Sequence, residues 1–147
     1  MSTFSSLHYH ITFSTKLRVR TIDPTWQEDL HQYIGGIIKV QGGFPECIGG
    51  VEDHVHLLLG LKPTHRISDV MREIKKSSSK WVHETIGLPA FQWQEGFAVF
   101  TVSPTARTAV QEYIKNQRQH HHRKTFREEL VQLLEKAGIQ YDPKYLQ

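Results

Sequence analysis

A chain of 147 residues with 38% hydrophobic content, seven Phe, five Tyr and three Trp has enough apolar side chain for one ordinary core, and its 22% charged content is too mixed in sign for a disordered segment. No apolar run approaches the roughly 18 residues that a membrane helix needs, and the N-terminal MSTFSSLHYHITF lacks the charged-then-apolar order of a signal peptide, so a cytoplasmic location is expected. The net charge of +3 tolerates polyanions without resembling a bulk nucleic-acid coat, and the single cysteine, Cys47, excludes an internal disulfide and a cysteine-based zinc cage.

In chain order, Leu7, Tyr9, Ile11 and Phe13 alternate with His8, His10 and Thr12, which predicts a strand with unlike faces. Asp23-Pro24 then opens a helix to about Gln41, with Trp26, Leu30, Tyr33, Ile34, Ile37 and Ile38 at helical spacing. Gly42-Gly43 ends it, and Cys47 to Val51 and His54 to Leu61 read as a hairpin turning at Glu52-Asp53. Ile67, Val70, Met71, Ile74, Ser78, Trp81 and Val82 form the stripe of a second helix, with Arg72, Lys75, Lys76 and Lys80 off the stripe.

A loop from Phe91 to Gly96 precedes a fourth strand, Phe97 to Val102. A third helix starts at Ser103-Pro104 with Val110, Tyr113, Ile114 and Gln117 along one side, and a fourth carries Phe126, Leu130, Leu133, Leu134 and Ala137 before Gly138. The order β-α-β-β-α-β followed by helices predicts one α+β domain over residues 1–147. Its expected form is a ferredoxin-like split βαβ with a four-stranded antiparallel sheet, two helices on one face and the tyrosine on the C-terminal helices. The second sheet face is expected to meet a partner or a substrate.

Two features carry chemistry. In Asp53-His54-Val55-His56-Leu57-Leu58-Leu59, strand alternation sends His54 and His56 to one face, where two imidazoles can converge on a divalent ion. A pair of satisfied half-buried histidines is the plainer reading of such spacing, although the three leucines that follow make this a central strand, where adjacent buried imidazoles need partners. In Tyr113-Ile114-Lys115-Asn116-Gln117, a potential nucleophile and an oxygen ligand stand four apart on a helix, while a core tyrosine beside Val110 and Ile114 is the alternative.

Taken together these residues resemble the HUH single-tyrosine transposases, the IS200-like insertion-sequence enzymes. The resemblance runs through Tyr9-His10 with Thr15-Lys16-Leu17-Arg18, Asp53-His54-Val55-His56-Leu57-Leu58, Lys75 to Lys80, Trp93-Gln94 with Gly96-Phe97, and Tyr113-Ile114-Lys115-Asn116-Gln117. Glu52 and Phe97 depart from the proline and tyrosine that the family often has there. The resemblance implies His54, His56 and Gln117 as ligands of Mg²⁺ or Mn²⁺, and Tyr113 as the nucleophile that forms a 5′-phosphotyrosine on single-stranded DNA bearing hairpins. It also implies a homodimer in which the tyrosine acts in trans. Asp53 is a candidate to orient His54 through a hydrogen bond, or simply a turn residue.

Phosphate contacts are expected from Lys16, Arg18, Arg72, Lys75, Lys76 and Lys80, with base stacking on Trp93 and Phe97. The run His120 to His122 with Arg118 and Arg123 either reaches DNA or caps a helix. Two rival readings remain open: a domesticated, repeat-associated protein that grips hairpin DNA without transposition activity, and a metal-dependent hydrolase that uses bound water and no tyrosine.

Overall fold

The computed structural model describes residues 2–121 and 124–146, so Arg123 and His122 of the histidine run lie outside the described residues. Strands β1 (His8–Ser14), β2 (Phe44–Val51), β3 (His54–Gly60) and β4 (Ala98–Val102) form one sheet in the order β2-β3-β1-β4. Every pairing is antiparallel. Between them run α1 (Pro24–Val40) and α2 (Ile67–Trp81), and α3 (Arg107–Lys115), α4 (Gln117–His120) and α5 (Phe126–Lys136) follow β4. This is the expected split βαβ topology. Among the described residues no helix is long and apolar enough to cross a membrane.

Local chemistry sets the element ends. Asp23 Oδ1 accepts the Thr25 N–H at 2.8 Å, satisfying an orphan donor at the start of α1, and Pro24 occupies a first-turn position whose N–H would have no partner. Strand β2 begins at Phe44, three residues before the predicted start, with a bulge between Pro45 and Cys47 that absorbs the proline.

Alternation along β1 and β3 gives the sheet two different faces. Ile11, Phe13, Val55, Leu57 and Leu59 point to the side covered by α1 and α2, where they join Leu30, Ile34, Ile38, Val70, Met71 and Ile74 in the main core. Burial of each such side chain stabilises the fold by roughly 1.5–3 kcal/mol. The other face, expected to await a partner or substrate, is instead covered by the chain's own C-terminal helices: Leu58 packs with Val102 and Ile114, and α3 lies on β2 and β3. That approach depends on Gly49, where a Cβ would stand 2.4 Å from the Ile114 carbonyl oxygen.

The predicted third helix is broken. Asn116 (ψ 22°) separates α3 from α4, so Tyr113 and Gln117 belong to successive helical pieces rather than one continuous face.

Candidate active site

β3 is buried along its whole length, and His54 and His56 are both fully buried on the face under α3–α5, with ring centroids 5.1 Å apart. Thr12 of β1 stands opposite His56, and the neighbouring His10 points the same way, its Nε2 2.8 Å from His56 Nδ1. His54 Nδ1 donates to Asp53 Oδ1 at 2.7 Å, so the turn residue does orient the imidazole.

The helices close over these rings. Gln117 Oε1 is 3.0 Å from His54 Nε2. The Tyr113 ring lies 5.6 Å from that of His56, edge-on, and its hydroxyl donates to Glu129 Oε2. Glu129, 1% exposed on α5, also places Oε1 2.9 Å from His56 Nε2, 3.4 Å from His54 Nε2 and 3.2 Å from His121 Nε2, while Gln117 Nε2 donates to its Oε2 at 3.0 Å. Phe126 stacks on the His54 ring, with centroids 4.5 Å apart. The stripe of α5 therefore closes the chain's own site, and Tyr113 stands in a polar cage rather than an apolar core.

The electrostatics follow from this crowding. Burial pulls the His54 imidazolium down, but hydrogen bonds and charge from Asp53 and Glu129 outweigh it and lift the group to about 9. Burial dominates at His56, whose pKa is lowered despite Glu129, and at His10, which burial and the adjacent His56 lower to about 3. Burial would raise the Glu129 carboxyl, yet its hydrogen bonds to His121, His54 and His56 hold it far below the ordinary range. Burial and then the Glu129 charge push the Tyr113 phenol up.

The donor set fits a divalent cation. Ligand atoms of His54, His121 and Glu129 lie within 4.8 Å of one another, and the Gln117 amide oxygen is beside His54 Nε2. Each imidazole has its Nδ1 engaged away from the centre, His54 on Asp53, His56 on His10 and His121 on the Lys124 carbonyl at 2.6 Å, which leaves Nε2 facing inward. Imidazole, carboxylate and amide oxygen together suit a divalent cation that does not require thiolate ligands.

The basic residues divide. Lys16 is exposed and Arg18 half-exposed on the turn after β1, where Leu17 (φ 56°) and Arg18 (φ 54°) both adopt left-handed backbone. Lys76 and Lys80 are exposed on α2, and Arg72 is exposed but paired with Asp69 at 2.9 Å. Lys75 is bound internally: its ammonium donates to the Gln94 carbonyl at 2.9 Å and to that of Gly96, and lies over the Phe13 and Phe97 rings, and burial lowers its pKa to about 8. Trp93, expected to stack on bases, is instead core. Its indole N–H donates to Ser78 Oγ at 2.9 Å, and its ring packs edge-on against Phe13. Phe97 is likewise partly buried against the core.

A cleft of about 280 Å³ lined by Arg20, Asp53, His121, Lys124 and Phe126 opens beside the histidines. Sequence reasoning missed Glu129 as a member of the site. The signal was a carboxylate three residues after Phe126 and four before Leu133, on the buried stripe of an amphipathic helix. His10 and His121 lie in the Tyr9-His10 pair and the His120 to His122 run, but nothing in their spacing fixes where they point.

The sequence and the fold both have parallels among transposases. The family described as "Transposase IS200 like" matches residues 3–117, and the chain belongs to that family. DNA breakage and strand transfer is the activity class that membership carries. The ISDra2 transposase TnpA of Deinococcus radiodurans is 25% identical over 119 residues, spanning 76% of this chain and 84% of the relative. The transposase for insertion sequence element IS200 of Salmonella typhimurium is 29% identical over 122 residues, covering 74% of this chain and 75% of its own length.

Among solved structures, a transposase from Deinococcus radiodurans superposes with a TM-score of 0.66 at 28% identity, over 80% of this chain and 95% of that one. A REP-associated tyrosine transposase bound to a REP hairpin shares the fold, with a TM-score of 0.62 at 19% identity over 82% of this chain and 74% of that one.

Proposed function

We propose that this chain, acting as one domain over residues 1–147, nicks and rejoins single-stranded DNA at hairpin-flanked ends through a tyrosine-linked intermediate. The observation that carries the reading is the position of Tyr113, whose ring is 5.6 Å from that of His56 and whose hydroxyl points into the cage shared with His54, Gln117 and Glu129. In this reading His54, His56 and Gln117 hold Mg²⁺ or Mn²⁺. When bound there, the cation would polarise the scissile phosphate and offset the Glu129 charge that keeps the phenol protonated.

Tyr113 Oη attacks phosphorus, the P–O3′ bond breaks, and the phenolic proton ends on the departing 3′ oxygen. The products are a 5′-phosphotyrosine and a free 3′-OH. Because the phosphodiester is conserved as a phosphotyrosine ester, a 3′-OH can reverse the attack and join strands without a nucleotide cofactor. Asp53 orients His54, and the α3–α5 cover excludes water that would hydrolyse the intermediate.

Lys16, Arg18, Arg72, Lys76 and Lys80 supply phosphate contacts in this reading, whereas Lys75 serves the fold first, through its carbonyl partners. Hairpin-bearing DNA is the substrate form, in line with the hairpin held by the REP-associated relative of similar fold. The assembly proposed is a homodimer. The single chain pairs Tyr113 with its own histidines, and exchange of the C-terminal helices between two copies would recreate the same pairing in trans. Sedimentation of the DNA-bound protein tests that part.

The central test is incubation with single-stranded DNA from the flanks of the gene plus Mn²⁺. A protein–DNA adduct that survives denaturing electrophoresis, and is lost in Tyr113→Phe, is the expected result. Cleavage that persists in Tyr113→Phe would move the protein to a water-using hydrolase, and binding of hairpins without any adduct would leave it a DNA-binding relative.

A further inference from the structure

Glu129 lies on α5, beyond the stretch matched by the family, yet it is the most connected side chain of the site. A carboxylate buried to 1% exposure on a helix whose other inward residues include Phe126 and Leu134 is expensive unless something compensates it. One imidazolium would suffice as compensation. Instead, the Nε2 atoms of His54, His56 and His121 converge on its Oε1 at 3.4, 2.9 and 3.2 Å, with Gln117 Oε1 3.0 Å from His54 Nε2.

Those separations match adjacent ligand atoms in a six-coordinate site, which lie roughly 3 Å apart when metal–ligand bonds are about 2.1 Å. His121 is also prepared as a ligand should be. Its Nδ1 donates to the Lys124 carbonyl, which turns Nε2 inward, toward Glu129 Oε1 and the centre of the site. Three imidazoles around one carboxylate oxygen are more than compensation of its single charge requires.

We infer that Glu129, and beside it His121, are ligands of the divalent cation in addition to His54, His56 and Gln117, so that the C-terminal arm completes the metal centre. The inference rests on the reading of His54 and His56 as metal ligands. It adds a carboxylate to a site otherwise built from neutral donors, and it makes cation binding and the docking of α5 one event. A charged oxygen ligand strengthens the hold on a hard dication, and each closing residue stabilises the helix that carries it.

The experiment is calorimetric titration of the full-length, DNA-free chain with Mn²⁺, accompanied by thermal unfolding with and without the ion and by the visible spectrum of the Co²⁺-loaded protein. Wild type, Glu129→Gln, His121→Ala and His54→Ala are compared, with folding checked by circular dichroism. Glu129→Gln is expected to weaken Mn²⁺ binding at least about tenfold, to reduce the ion-dependent rise in Tm and to change the Co²⁺ spectrum. His121→Ala should act in the same direction with a smaller effect, and it carries the test if Glu129→Gln does not fold.

Unchanged or tighter Mn²⁺ binding in Glu129→Gln, with binding still lost in His54→Ala, overturns the inference while leaving the histidine site standing. Glu129 would then be a group that the ion displaces. Absence of Mn²⁺ binding by the wild type overturns both.

Discussion

The two faces of the sheet solve burial in opposite ways. Under α1 and α2, Ile11, Phe13, Val55, Leu57 and Leu59 meet mainly other hydrocarbon, and none of these five side chains needs a partner. Under α3–α5 the same two strands present His10, Thr12, His54 and His56, equally buried, and every one has a named hydrogen-bond partner. Hydrocarbon burial therefore resides on the first, dry face and the candidate site on the second, polar or wet one, whose groups shift one another's proton affinity because they are packed closely together.

This contrast is testable by perturbing each face in turn. Leu57→Ala, on the dry face, should lose about 3 kcal/mol of stability through its cavity. Equilibrium urea unfolding measures that loss, and cation binding in the remaining folded protein should be unchanged. Gly49→Ala works on the wet face by pushing the Ile114 carbonyl away, since the added carbon meets it at 2.4 Å. A loss of about 1–3 kcal/mol is expected, together with reduced adduct formation as Tyr113 shifts. Retained adduct formation would show that α3 does not need this seat.

pH separates the groups further. His10 is held at about 3 and His31, half-buried on α1, at about 4, so both stay neutral in the fold while the unfolded chain takes up protons near 6.5. Stability should fall as pH drops below that value, by about 2 kcal/mol for each of the two between pH 7 and pH 5. His54 has the opposite sign: raised to about 9, it contributes stability that is complete below about 6.5 and is lost as pH rises through 9. Urea midpoints measured across pH 5 to 10 should thus peak near neutrality.

Smaller effects belong to the rim. Replacing Lys16 and Arg18 together with Ala should weaken single-stranded DNA binding across sequences and lower the salt slope by about 1.4, read from affinities at several salt concentrations. Arg118→Ala removes a 2.7 Å surface bridge to Glu52 and should change stability by less than about 1 kcal/mol.

How much of this the sequence disclosed follows the same division. The alternation in β1, the Asp23-Pro24 helix start and the His54 to Leu61 run are local patterns, and they specify the strands, α1 and the dry core. The convergence of His54 and His56 was equally readable, because period two leaves no other choice. What was not readable is who covers the wet face. That depends on the break at Asn116 and the return of α5, and neither has a period. Lys75 shows the same limit, for its helix position suggested a phosphate contact, while its carbonyl partners lie some twenty residues downstream.

The turn at Glu52-Asp53 has a practical consequence. Its two carbonyls accept the backbone N–H groups of Ile22 and Thr15 at 2.9 and 2.8 Å, the Glu52 carboxylate ties Arg20 and Arg118, and the Asp53 carboxylate holds His54. Surface turns of this kind commonly accept inserted peptides or new chain ends. This one would not, because opening it releases β1, the approach to α1, α4 and an imidazole together. The turn after α5, at Gly138, is where a tag or permuted terminus belongs.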